Sequence, residues 1–176
     1  MTVSNVAPIG VGSTLTLAQG ALYIPLLGNV YKLGNKWYKF VQAGTSDIPI
    51  NSVVVSGRTS GVPNFVVSAP LLAANPDVAG VVPEEYTSAI TASTYFMLQV
   101  SGSALVLTSD TTVVHTSGTE FRLVTSSANT GQAKAPATYT TASTTDDAGV
   151  FAIATNSAVA TATGVTIRCF ITGLGY

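Results

Sequence analysis

The chain has 176 residues, of which only 9% are Asp, Glu, Lys or Arg, with a net charge of −1 and a mean hydropathy of +0.44. Ordinary soluble domains carry about 25% charged residues, so this chain has no global field to draw nucleic acid, anionic lipid or a charged substrate. The length suits one domain, or one domain plus an arm, and a surface this neutral favours association over life as a free monomer.

Residues 1–25 carry no charge and are broken by Pro8, Gly10, Gly12, Gly20 and Pro25, which excludes a spanning helix. No Lys or Arg precedes the apolar part, so a secretory signal is not expected. We read this stretch as an extended N-terminal interaction arm, with "STLTLA" (13–18) as a strand candidate. Added to a partner's sheet edge, it would bury Leu15, Leu17, Leu22, Ile24 and Leu26. The remainder, 26–176, is read as one β-rich domain.

The next stretch, "YKLGNKWYKFVQAG" (31–44), sets Lys32, Lys36 and Lys39 among Trp37, Tyr38 and Phe40. Bases interleaved with aromatics can bind nucleic acid. With a net charge of −1, a lysine-guarded strand edge comes first and contact with an acidic protein surface second. "KWYKFVQ" (36–42), "INSVVVS" (50–56) and "NFVVSA" (64–69) are strand candidates. "APLLAANPDVAG" and "PEEYTSAI" are the only helix candidates, the second because proline and two acids suit a first helical turn.

"TYFMLQVS" (94–101) and "ALVLTS" (104–109) follow as two strands split at Gly102. In the first, Phe96, Leu98 and Val100 face a core, while Tyr95, Met97, Gln99 and Ser101 form a neutral face suited to contact with other protein copies. "WYKFVQAG" and "YFMLQVSG" echo one another, either by chance composition or as a duplicated hairpin. "TTVVHTS" (111–117), "EFRLVT" (120–125), "VFAIATN" (150–156) and "VTIRCFITG" (165–173) complete the strands, and 126–149 reads as a long loop. Short strands between Gly-, Pro- and Asp-bearing turns predict an all-β sandwich or barrel of antiparallel strands.

Chemistry leaves few marks. No nucleophile elbow, phosphate-binding loop or complete G-x-G-x-x-G is present. His115 is the one histidine; Ser117, Asp110 and Glu120 are poorly placed to make it a triad. One histidine and one cysteine exclude His-rich and thiolate metal sites within the chain. Cys169, in apolar "TIRCFITG", reads as an inert buried thiol. Glu84–Glu85 and Asp146–Asp147 are adjacent, and neighbours on a strand point apart, so neither is a glycosidase pair. We expect no enzyme, no cofactor, no metal and no small-molecule substrate.

One resemblance adds to this. "DVAGVVPEEYTSAITASTYFMLQVSGSALV" (77–106) resembles a segment recurrent in small bacteriophage virion proteins: an apolar strand, a small-residue turn, then an aromatic strand ending in Gln-Val-Ser-Gly. "YKLGNKWYKFVQAG" is similar to their early hairpin. The resemblance implies a tailed-phage capsid decoration (cement) protein or a related minor virion structural protein: β-rich, often homotrimeric, bound to the major capsid protein on the capsid exterior and made in the host cytoplasm. That family has no catalytic residues to carry over. The arm and the Thr/Ala-rich region 133–163 lie outside the resemblance, which leaves the mode of attachment open. The expected function is capsid stabilisation by bridging capsomers, without nucleic-acid or membrane contact. The partner interface is placed on the five arm residues with Lys32, Lys36, Trp37 and Lys39. The alternative is a receptor- or carbohydrate-binding module of a tail or head fibre, stacking sugars on Trp37, Tyr38 and Tyr95.

Overall fold

A computed structural model describes residues 7–59, 62–69, 78–108, 113–114, 121–125, 131–134, 151–155, 159–160 and 164–172. Among the described residues the elements are mostly strands, and ten strands form one mixed sheet.

The N-terminal segment departs from the expected extended arm. A bridge at Leu15 is followed by a helical turn, α1 (Leu17–Gly20), and a 3-10 turn, Ala21–Leu26. The local cause is a capping box: the Thr16 side chain accepts from the Gln19 N–H, and Gln19 Oε1 accepts from the Thr16 N–H at 3.0 Å. The expected strand 13–18 thus shrinks to one bridge, and the boundary at residue 25 falls inside the 3-10 turn.

Strands β1 (Val30–Leu33) and β2 (Lys36–Ala43) form a hairpin in which Leu33 faces Lys36. Its two-residue loop starts with Gly34 at φ +62°, which suits a type II′ turn. Then come β3 (Val53–Thr59), β4 (Val62–Ser68), β5 (Val78–Val81) and β6 (Tyr95–Thr108). The second half supplies β7 (Val113–Val114), β8 (Phe121–Thr125), β9 (Ala133–Lys134), β10 (Ala152–Ala154), β11 (Val159–Ala160) and β12 (Val165–Ile171). Among the described residues, β7 and β11 pair only with each other.

The two strands expected at 94–101 and 104–109 are one strand of 14 residues. Gly102 does not end it. At φ +96° it makes a kink that a side chain would fill, since an added Cβ would lie 2.8 Å from the Asn35 carbonyl oxygen. Gln99 spans the kink, donating from Nε2 to the carbonyls of Ser101 (3.3 Å) and Ser103 (2.9 Å).

β6 belongs to two closed circuits of hydrogen-bonded strands. The first runs β2–β4–β3–β5–β6 and back to β2; the second runs β6–β9–β8–β10–β12 and back to β6. Each visits its five strands in the order first, third, second, fourth, fifth. Each contains one parallel pair, Ala43 beside Val67 in the first and Thr108 beside Ala133 in the second. The echoing stretches 37–44 and 95–102 fall on β2 with the residue after it and on β6. Those stretches lie side by side, antiparallel, with Phe40 opposite Met97.

The interior of the first circuit packs Val41, Val54, Val67, Ile90, Phe96 and Leu98. That of the second packs Val106, Phe151, Ile167, Cys169 and Ile171, joined by Val53 and Val81 from the first, so the two interiors touch. Cys169 is fully buried there, and burial pushes its thiol up to about 12.

The neutral face of the opening half of β6 is not an interface between copies here. Tyr95 and Met97 join Tyr31, Tyr38 and Phe40 in a buried aromatic layer, covered by the chain's own Ala7, Ile9, Val11, Leu15, Tyr23, Leu26 and Leu27. Phe40 and Tyr95 stack at 5.9 Å.

Candidate functional site

The capping box and Pro25 fix how the segment 16–26 turns its side chains. Leu15 and Leu26 face inward onto the aromatic layer, with Leu15 and Tyr95 exchanging both backbone hydrogen bonds at 2.9 Å. Leu17, Leu22 and Ile24 face outward, 54%, 83% and 52% exposed. The five arm residues expected to act together are thus divided: two hold the segment down and three are presented to solvent. Phe65, also exposed, lies over Gly28, where an added Cβ would meet its ring at 2.2 Å. Sequence reasoning missed Phe65, whose place beside the segment depends on the parallel β2–β4 pairing.

The lysine–aromatic stretch is divided too. Lys32 sits 5.5 Å from the Trp37 ring centroid across the hairpin, a cation–π contact. Lys39 is half-buried on β2, and burial holds its ammonium below the ordinary lysine value. Tyr38 and Tyr95 are 3% and 4% exposed, so they cannot join Trp37 as a sugar-stacking platform.

Lys36 leads to a charge network instead. Its Nζ lies 2.9 Å from Glu85 Oε1 and 3.5 Å from Glu84 Oε1. Arg168 on β12 grips Glu84 with both guanidinium nitrogens, at 2.7 and 3.1 Å. That grip, aided by Lys36, holds the Glu84 carboxyl below the usual carboxylate range, while burial opposes it. The Tyr38 hydroxyl donates to Glu85 at 3.2 Å, and burial with the nearby carboxylates raises its pKa above the usual tyrosine value.

Residues 83–90 are a turn rather than the helix expected. On that turn both acids reach Lys36, so the rule that strand neighbours point apart does not govern them. Four of the chain's fifteen Asp, Glu, Lys and Arg residues meet here and tie β2, the turn after β5, and β12 together. The acids are neutralised by bases, a structural use of a carboxylate pair.

No protein-family model matches the chain, and no curated protein matches it in sequence. Among the described residues no group of three His, Cys, Asp or Glu side chains is placed to hold a metal ion. No described helix is long and apolar enough to cross a membrane. His115, Ser117, Asp110, Glu120, Asp146, Asp147 and the helix candidate before Pro76 lie outside the described residues.

Proposed function

We propose that this chain is a structural protein of a tailed-phage virion that binds the outside of an assembled capsid and bridges neighbouring capsomers. On this reading each strand circuit is a small β-barrel, and the two fused barrels carry the attachment surface on the N-terminal segment. The observation that supports it most is the outward row Leu17, Leu22 and Ile24, exposed on a segment whose other side is fixed to the core. Large aliphatic side chains held in water contribute roughly 1.5–3 kcal/mol each once a partner covers them, before ordering costs. On a lattice, repeated copies multiply a modest contact through effective concentration. The resemblance of 31–44 and 77–106 to phage virion proteins supports the same reading.

The test uses particles of the encoding phage assembled without this protein. Added wild-type protein should co-sediment with them, appear as density on the capsid exterior and raise the temperature of DNA release. Leu22→Asp with Ile24→Asp should fold normally and fail on all three counts. Wild-type protein that leaves such particles bare, or that binds only at the tail, would refute the proposal.

A further inference from the structure

Three consecutive residues after β5 each hold a different part of the molecule. Glu84 takes Arg168 from the second circuit. Glu85 takes Lys36 and Tyr38 from β2. The Tyr86 hydroxyl donates to the Ser13 carbonyl at 3.2 Å and accepts the Met97 N–H at 2.9 Å. The N-terminal segment also presses on this turn directly: a Cβ added at Gly12 would lie 2.8 Å from the Glu85 carbonyl oxygen. We propose that the turn Glu84–Tyr86 is an acid- and salt-sensitive latch that keeps the N-terminal segment closed over the aromatic layer.

The argument rests on what anchors what. Residues 7–27 bring no charged side chain, so they are held by apolar packing, the Leu15–Tyr95 bridge and their contacts with this turn. The turn itself is held by Tyr86, buried against Phe96 and bonded to Met97, and by the two carboxylates, which are its charged anchors. Among the described residues, the groups facing them are Lys36 and Tyr38 from β2 and Arg168 from β12, with Tyr86 in the turn and none from the N-terminal segment. At neutral pH two acids balance two bases. Protonating the acids leaves Lys36 and Arg168, which share Glu84 Oε1, as uncompensated like charges and removes the turn's charged anchors. Because the Glu84 carboxyl is held below its usual range, the latch is fully closed above that range and opens as pH falls through the lowered value. Salt weakens the same contacts, since the carboxylates are partly exposed. Opening would displace Leu17, Leu22 and Ile24; that consequence, unlike the latch, rests on the attachment reading above.

Residue-resolved amide exchange on the isolated full chain at pH 7 tests the latch. In Glu84→Gln/Glu85→Gln, exchange at Leu15 and Tyr95 should accelerate by about tenfold, against less than about twofold at Ala152–Ala154 in the second circuit. Glu85→Gln alone, which spares the Arg168 grip and keeps the fold should the double variant lose it, should accelerate Leu15 and Tyr95 by about threefold. Unchanged protection at Leu15 and Tyr95 in the variants, or equal acceleration in both circuits, would overturn the latch. No particle is involved, so failure to bind capsids would count against the proposed function and leave this result standing.

Discussion

The two strand circuits follow one pairing plan, yet their outer faces have different chemistry. Counting back from the parallel pairs, Phe40 opposite Met97 in the first corresponds to Leu105 opposite Arg168 in the second. Phe40 and Met97 are fully buried under residues 7–27, whereas Leu105 and Arg168 are half-buried. Tyr95, in the covered layer, corresponds to Thr166, which is exposed. The pairing plan alone therefore does not decide which strand faces are apolar. What lies on the outer face decides it, and the segment that covers the first circuit goes with its aromatic residues.

The largest effect should come from truncating the covered face. Phe40→Ala removes a fully buried ring stacked on Tyr95 and should cost about 3–5 kcal/mol in chemical denaturation. Leu105→Ala, its counterpart, should cost about 1–2 kcal/mol because the site is already partly open to water. Equal losses would show that the two outer faces are not energetically distinct.

A second contrast lies between two glycines of positive φ, one on the shared strand and one just before β12. Gly102→Ala combines a left-handed backbone with a clash against Asn35 and should cost about 2–4 kcal/mol. Gly164, at φ +84° in the second circuit, has open space around its Cβ position, so Gly164→Ala should cost only about 1 kcal/mol. If Gly102→Ala proves as mild as Gly164→Ala in the same denaturation series, the junction is more pliable than its geometry implies.

The ion pairs that link the circuits give a smaller, pH-dependent effect. Glu84→Gln should lower stability at pH 7 by about 1 kcal/mol, the scale of a well-formed but partly exposed pair. The folded-state carboxyl is held low, so this contribution is present above the ordinary carboxylate range and disappears as pH falls through the lowered value. Thermal unfolding of wild type and variant across pH should therefore converge in acid. A gap that persists there would assign the effect to packing.

Much of this plan is legible in the amino-acid order, and the misses have physical causes. The strands at 36–42, 64–69, 120–125 and 165–173 were readable because Val, Phe and Ile alternate between turns. The 13–18 stretch also alternates, but Thr16-x-x-Gln19 closes a capping box there, a signal that outweighs "LTL" once Gly20 can sit against the Tyr95 ring. Gly102 looked like a strand end because glycine both breaks and kinks strands. The neutral face of "YFMLQVSG" was visible, but its cover lies about eighty residues earlier in the chain. The charge network was illegible for the same reason: the grip on Glu84 comes from Arg168, on another strand of the closed circuits. Local pattern gives elements; the partner across a closed circuit needs the pairing order.

The smallest effect on stability is the most telling for function. Leu22 is 83% exposed, and its neighbours Tyr23 and Leu26 hold the turn to the core, so Leu22→Asp should change unfolding free energy by less than about 0.5 kcal/mol. Leu26→Asp places a carboxylate at the partly buried edge of the aromatic layer and should destabilise by about 1–3 kcal/mol. The two positions are four residues apart in one helical segment, so their contrast isolates the outward side from the inward one. On the proposed attachment reading, Leu22→Asp loses capsid occupancy with an unchanged melting curve. Should Leu22→Asp decorate particles at wild-type occupancy, the outward row is ordinary exposed surface. The Lys32–Trp37 hairpin, at the opposite end of β1, then becomes the surface to mutate next.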